Sequence, residues 1–560
     1  MLSLHNHSYY SMLQGTMSPD QIIAHAKASG SSYVALSDRN NMYGLIQFAK
    51  KAFAENLKPV LGALIDDPKD RTLNALFIAR NNRGYSQLCK LITARNLKED
   101  FALQEVFSSD IKDFFVISSS LGLLNKIKGC KCWKENIFAE LIVTERRRRK
   151  TRELYEFARA NGLQIVASHP AYFLKPEDYE LHRVVTAIRL NSTLYNLCSE
   201  DLADEEYCLK SSEEMDKLWK SLPEALWNIG RIVRESNVEL DLGSRKFPVF
   251  SLPEGETSFS YLWKVAFRGL EEKYKPITEK AIKRLQHELE VIEELNYADY
   301  FLIIWDVIRE ARKRGMVSIG RGSAANSLVS YCLDFTQVDP LYHNFYFERF
   351  LNRGRKSPPD VDLDFSWQER DQIVKYIYEK YGFSRVAMIS TTVTFRARSA
   401  FREVAKAFGI ANEEISRYSK FIPWTSAQNL PGIADKFPET KSLDFSTEPW
   451  RSIVRIASRL ADFPRHLSVH PSGIVITDQP ITNYVALEYA KNKGLGLIIT
   501  QPDMYSIEEM GLIKIDLLSQ RSLGVLKDTL LRINRGPSAP EGSLTDDHSK
   551  VRVFRINSQN

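Results

Sequence analysis

The stretch Asp360–Phe365 reads DVDLDF, an acid at every second position with Val361, Leu363 and Phe365 between and after. A period of two marks an extended strand. It excludes a helix here and puts Asp360, Asp362 and Asp364 on one face, with an apolar face opposite. Neighbouring acids on that face lie roughly 6.5–7 Å apart. Such a row repels itself unless a counter-ion lies against it. Two readings follow: a solvated strand face, or carboxylates flanking divalent cations, which stand about 3.5–4 Å apart in two-metal sites.

Upstream, Ser318–Ser327 reads SIGRGSAANS and is followed by apolar LVSYCL, a strand, small-residue turn and helix. Gly320, Gly322 and Ser323 let backbone N–H groups approach a ligand closely, and N–H groups at a helix start suit phosphate. Arg321 adds a cation charged at any working pH. A glycine-rich turn is weak evidence alone; followed by an acidic strand it suggests metal-assisted chemistry on a triphosphate. Further on, GLIKIDLLS (511–519) is an apolar strand broken by Lys514 and Asp516, which fall on the same side. A buried ion pair is the structural reading of those two residues.

These motifs carry a resemblance. GRGSAANSLVSYCLDFTQVDPLYHNFYFERFLNRGRKSPPDVDLDF, VTFRARSAFREVAKAFG, HLSVHPSGIVIT and GLIKIDLLSQRSLGVL resemble the C-family DNA polymerases, the bacterial replicative alpha subunit, with wording nearer the error-prone paralogue. The resemblance implies an α/β multidomain chain: a PHP-type βα barrel, then a polymerase-beta-like nucleotidyltransferase palm of mixed α+β structure with a helical thumb insert. It implies these boundaries: PHP 1–245, palm 246–391 and 469–535, thumb 392–468, and the start of a fingers domain at 536–560. Asp360, Asp362 and Asp516 would hold two Mg²⁺ ions, with no organic cofactor. Gly320, Arg321, Gly322, Ser323 and Lys514 would meet the incoming nucleotide. The implied partners are primer-template DNA, dNTPs, and the sliding clamp and other polymerase subunits of the full-length family. By the same resemblance the chain stops where the fingers begin, as a truncated product or a fragment. A scaffold or DNA-binding remnant without activity is the alternative function.

In the thumb region, Arg398, Arg402 and Lys406 recur at i, i+4 and i+8, a stripe down one helix face. With Arg396 they would contact backbone phosphates; a solvated cationic face is the competing reading. WTSAQNLPGIADKFP reads as an exposed loop, and His470 with Ser472–Gly473 as a special turn beside the site.

The first 245 residues alternate short apolar runs with helical patterns, which predicts a parallel sheet or barrel. LHNHSYYSMLQG resembles the opening of a PHP domain, where His5 and His7 would be metal ligands. The rest of that ligand pattern is substituted: Gln14, Arg39, Leu64, Pro170 and Tyr172 stand where metal ligands are looked for. Only His5, His7, Asp38 and a shifted His169 remain, and Arg39 would repel a metal. The expectation is a structural domain, against a third function as a metal-dependent phosphoesterase. TERRRRKTR (144–152) reads as a solvated helix face.

Net charge is +6, compatible with nucleic acid without proving it. The six cysteines lack zinc-site spacing and suit reduced thiols in a cytoplasmic protein. No apolar run approaches the ~18 residues a membrane span needs, so no membrane partner is expected.

Overall fold

The computed structural model describes residues 1–109, 111–354, 359–441, 443–490 and 497–535. The expected start of a fingers domain at 536–560 lies outside them. The chain divides into two compact units. The first comprises Met1–Asp241, Ser390–Val469 and Thr482–Ser506; the second comprises Leu242–Ile389, His470–Ile481 and the chain from Ile507. No helix among the described residues is long and apolar enough to cross a membrane.

The first unit is built on β1 (Tyr33–Leu36), β2 (Lys58–Asp66), β3 (Asn74–Ala79), β4 (Phe114–Ser118), β5 (Ile137–Ile142) and β6 (Gln164–Ser168), in that spatial order. Nearly every strand residue is buried, as strands covered on both faces require. The sheet is mixed: β2–β3 and β3–β4 are antiparallel, the other neighbours parallel. An all-parallel sheet is therefore corrected. Only Asp67–Leu73 separates β2 from β3, too short for a crossover and long enough for a hairpin. The six strands curl as a half-barrel, in keeping with the expected barrel-type domain. Between β1 and β6 lies the N-terminal segment: His7 N donates to Ala171 O, Ala171 N to His5 O and Ser37 N to Asn6 O, each at 2.9 Å.

Helices Ala397–Ala407 and Trp450–Ser458 pack with Leu181, Val184 and Val185 in one apolar cluster of this unit. Ala427, Leu430 and Ile433 belong to that cluster and are almost fully buried. The expected exposed loop at 424–438 is thus a packed 3₁₀ and helical segment whose three apolar residues supply core. Strands β11 (Leu487–Tyr489) and β12 (Ile498–Asp503) form an antiparallel pair here. Residues 482–506, expected with 469–535, pack in this unit because Leu487 N donates to Thr93 Oγ1 at 2.9 Å and Tyr85 OH to Tyr484 O at 3.1 Å.

The second unit holds helices Ser258–Lys273, Glu279–Glu294 and Ala298–Lys313, then β7 (Ser318–Arg321) and β8 (Asp362–Ser366). The chain passes between units within β9 (Val386–Thr394) and β10 (Pro464–Ile476), and returns as β13 (Lys514–Gln520). Four strands lie side by side here in the order β10, β13, β8, β7. The β8–β13 pair is parallel and both outer pairs are antiparallel. Val361, Leu363 and Phe365 are fully buried, so the apolar face of the period-two stretch is core.

Candidate active site

The strand register assembles the site. Arg321 lies opposite Asp362, Asp362 opposite Asp516, and Asp516 opposite Gly473, one row across four adjacent strands. Neighbouring strands stand ~4.8 Å apart, closer than successive same-face residues along one strand. The acids therefore meet across the β8–β13 pair as well as along the chain. One oxygen each from Asp360, Asp362 and Asp516 lies within 4.8 Å of the others. Among the described residues this is the one group of three or more His, Cys, Asp or Glu side chains so arranged.

Asp516 is buried and fully engaged. Ser472 Oγ donates to its Oδ1 at 2.6 Å, and Lys514 Nζ stands 2.7 Å from its Oδ2. Asp362 is partly exposed and Asp360 exposed. Asp364 faces the same way but takes other partners: Arg321 Nε at 3.3 Å and Gln520 Nε2 at 3.3 Å. Arg321 Nε is also 3.9 Å from Asp362 Oδ2. Partial loss of hydration pushes the Asp360 carboxyl above its usual range; Lys514 pulls back, while Asp516 and Asp362 push further. Asp362 is raised likewise, by burial and then by Asp516. Burial works to lower Lys514, yet its hydrogen bond to Asp516 and the surrounding acids win and raise it.

Three carboxylates at this spacing, two of them destabilised as anions, form an all-oxygen hard-ligand set. It fits a divalent cation such as Mg²⁺ or Mn²⁺ and not a soft one. Gly322 has φ +72, and a Cβ there would come within 3.8 Å of Asp362 Oδ2. Gly320 lies against the Phe335 carbonyl, 2.0 Å from where a Cβ would be. Both glycines are thus required by local geometry: one for its backbone conformation, one for close approach.

One feature of the loop differs from expectation. The helix after the turn is only Leu328–Cys332, and its N-terminus is already occupied. Leu328 N and Val329 N donate to the buried Glu288 carboxylate at 2.9 and 3.0 Å, as does Ser327 Oγ at 2.7 Å. Those helix-start amides are committed internally, which leaves Arg321 and the Gly322–Ser323 turn beside the acids. Glu288 was not singled out from the sequence. It sits in an ordinary amphipathic helix, and only packing reveals its task.

Residues 470–473 are not the expected turn but part of strand β10; beside Asp516, His470 Nδ1 accepts from Gly473 N at 2.8 Å within that strand. Burial lowers the His470 pKa, with Asp516 opposing.

In the first unit, the four cations of 396–406 have partners. Arg396 stands 3.1 Å from Asp462 and over Trp424. Arg398 donates twice to Ile422 O, Arg402 donates to the Ser416 and Ser419 hydroxyls, and Lys406 lies 3.7 Å from Glu403. His5 and His7 are buried with Nε2 atoms 3.0 Å apart, and His5 Nδ1 lies 2.6 Å from Glu140. Asp38 accepts from Ser8 and Ser11. His169 bonds the Glu206 carbonyl instead of facing this group. Arg39 is held by Asp66 at 3.0 Å. Of the basic run, Arg148, Arg149 and Arg152 are exposed and paired along the surface, whereas Arg146, Arg147 and Lys150 line a cavity.

Residues 260–519 match the bacterial DNA polymerase III alpha NTPase domain, and residues 3–124 match the PHP domain. The chain is 33% identical over 553 residues to a DNA polymerase III subunit alpha of Halalkalibacterium halodurans, covering 95% of this chain and 49% of that protein. It is 30% identical over 579 residues to the subunit of the same name in Bacillus subtilis, covering 98% and 51%. It is 32% identical over 568 residues to an error-prone DNA polymerase of Symbiobacterium thermophilum, covering 95% and 52%. Identities of 33% and 32% do not separate the two kinds. The chain spans about half the length of the curated relatives it matches. A PHP-domain match thus stands ahead of a polymerase III alpha match, and nearly the whole length of the chain is similar to bacterial DNA polymerase III alpha subunits and error-prone DNA polymerases.

Proposed function

We propose that this chain carries the nucleotidyl-transfer centre of a DNA-directed DNA polymerase, adding a deoxynucleotide from a dNTP to a primer 3′-hydroxyl. The observation that carries the reading is the meeting of Asp360 and Asp362 with Asp516, remote in sequence, beside Arg321 and Lys514. Asp360, Asp362 and Asp516 would hold two Mg²⁺ ions. Bound there, such ions lower the pKa of an attacking hydroxyl and offset charge on a leaving pyrophosphate.

The chain's own groups do the rest. Ser472 holds one oxygen of Asp516 and leaves the opposite side of that carboxylate to Lys514. Lys514, cationic throughout the working range, is placed to exchange Asp516 for a phosphate oxygen. Arg321 spans Asp362 and Asp364, which aims its guanidinium along the acidic face. The Gly322 turn keeps that face open to a substrate. Primer-template DNA, dNTPs, the clamp and further polymerase subunits are the partners this reading assigns. Arg396, Arg398, Arg402 and Lys406 are assigned to the DNA backbone, each exchanging an internal partner for phosphate. His5, His7 and Asp38 are read as a remnant that packs the first domain. Six scattered cysteines without zinc-site spacing suit the cytoplasm.

The test is primer extension with Mg²⁺ by the purified chain. The native chain is expected to extend. Asp362→Asn and Asp516→Asn are each expected to lose about a hundredfold or more, since each removes a ligand from the reacting centre. Equal extension by native and Asp362→Asn chains would overturn the assignment. Primer-template binding without extension by the native chain would support the scaffold reading instead.

A further inference from the structure

The register that brings Asp516 into line leaves one backbone carbonyl to be satisfied from elsewhere. Strands β10 and β13 pair over Gly473–Val475 and Lys514–Asp516. One step beyond, where Ser472 would face Leu517, Ser472 N turns instead to His470 Nδ1 at 3.3 Å, as Gly473 N does at 2.8 Å. The residue before it, Pro471, has no N–H to give. Yet this is where the two strands must stay together, because Ser472 Oγ donates to Asp516 Oδ1 at 2.6 Å.

A side chain from outside the pair makes the join. Arg370 opens helix Arg370–Tyr381 and is largely buried. Its Nε donates to Leu517 O at 3.1 Å, and its Nη2 donates to Pro471 O at 3.3 Å. Its Nη1 holds the exposed Asp371 at 2.9 Å. Leu517 follows Asp516 in the chain, and Pro471 precedes Ser472. The guanidinium therefore spans β10 and β13 one residue away from each partner of the Ser472–Asp516 bond. A planar fork with fixed N–H directions sets the separation of two carbonyls; a flexible ammonium does not. Both bonds go to the backbone, so the effect on the acids runs through the strands that carry them.

We propose that Arg370 is a positioning residue of the centre. By clamping β10 to β13 it fixes Ser472 against Asp516, and so fixes the orientation in which Asp516 presents its carboxylate to a divalent cation. The inference rests on the polymerase reading for the reaction, and on the three acids alone for the metal. Removing a group that orients a metal ligand typically changes metal affinity or activity about 10–100-fold.

The test is Mn²⁺ binding by the whole chain, read as loss of the free-ion electron paramagnetic resonance signal, beside primer extension over a Mg²⁺ series. Arg370→Lys and Arg370→Gln are compared with the native chain, and Asp362→Asn marks binding at the acids. Mn²⁺ affinity is expected to fall about tenfold or more in both Arg370 variants. The Mg²⁺ needed for half-maximal extension should rise by a similar factor, while KM for dNTP at saturating Mg²⁺ is unchanged. Ser472→Ala combined with Arg370→Lys should weaken Mn²⁺ binding by less than the product of the separate effects, since both act through Asp516. An arginine that only stabilised the fold would lower Tm and leave the metal affinity of the folded chain alone. Thermal melts establish that each variant is folded when read, and Arg370→Lys, which keeps the stem and the charge, decides where Arg370→Gln is not. Weaker Mn²⁺ binding in the variants upholds the inference even where no chain extends a primer, and then the polymerase reading alone fails. Native Mn²⁺ binding that is unchanged in the Arg370 variants overturns the inference and leaves that reading standing. A native chain that neither binds Mn²⁺ nor extends a primer overturns both.

Discussion

Glu288 offers a sharp test of how the second unit holds the start of helix Leu328–Cys332. Its side chain is fully buried. It accepts from Ser327 Oγ, Leu328 N, Val329 N and Arg284 Nε at 2.7, 2.9, 3.0 and 2.6 Å. Glu288→Ala would strand two backbone amides and a guanidinium in a dry interior. Each orphaned donor costs about 1–3 kcal/mol. Arg284 keeps the Asn326 and Phe345 carbonyls, which moderates its share. The expected loss is about 3–5 kcal/mol, the range for breaking a buried charge pair. Glu288→Gln retains an acceptor and should lose roughly half as much. Burial raises the Glu288 pKa against the opposing donors. The folded chain therefore binds this proton more tightly than the unfolded chain. Native stability should fall as pH rises from the ordinary carboxylate range through the raised value, and Glu288→Gln should lack that decline. Urea unfolding read by hydrogen exchange at residues 318–333 measures both effects. A loss below about 1 kcal/mol in Glu288→Ala would refute the reasoning.

Other consequences are equally direct. Gly320→Ala would place a methyl 2.0 Å from the Phe335 carbonyl; a backbone shift costing about 1–3 kcal/mol or more is expected, with a lower Tm. Asp38 is buried, and burial pushes its carboxyl up to about 6 against the hydrogen bonds from Ser11 and Ser8. Its contribution to stability is therefore present below its ordinary value of 3.8 and lost as pH rises through about 6. Asp38→Asn should flatten the stability profile across that window in a pH series of thermal melts. Asp360 and Asp362 are also raised, so at neutral pH added Mg²⁺ should raise Tm in the native chain and less in Asp362→Asn, as scanning calorimetry would report.

Much of this protein was legible in its residues. Short apolar runs such as YVAL and NALFIA gave strands, and the Lys514–Asp516 spacing put both side chains on one side, where they touch. The run IFAELI was missed as a strand, since a short apolar run alone does not distinguish strand from buried helix. The acidic stretch showed which residues would face one way. It could not show that Asp362 would stand opposite Asp516, because register between distant strands is set by packing and not by local pattern.

Sequence by itself determined the acidic face and its apolar underside, because these depend on local periodicity and side-chain chemistry. Tertiary structure alone decided which acids converge, which helix-start amides Glu288 occupies, and which arginines of a uniformly basic run turn inward to a cavity. Those outcomes depend on distances between segments far apart in the chain, and no local preference encodes them.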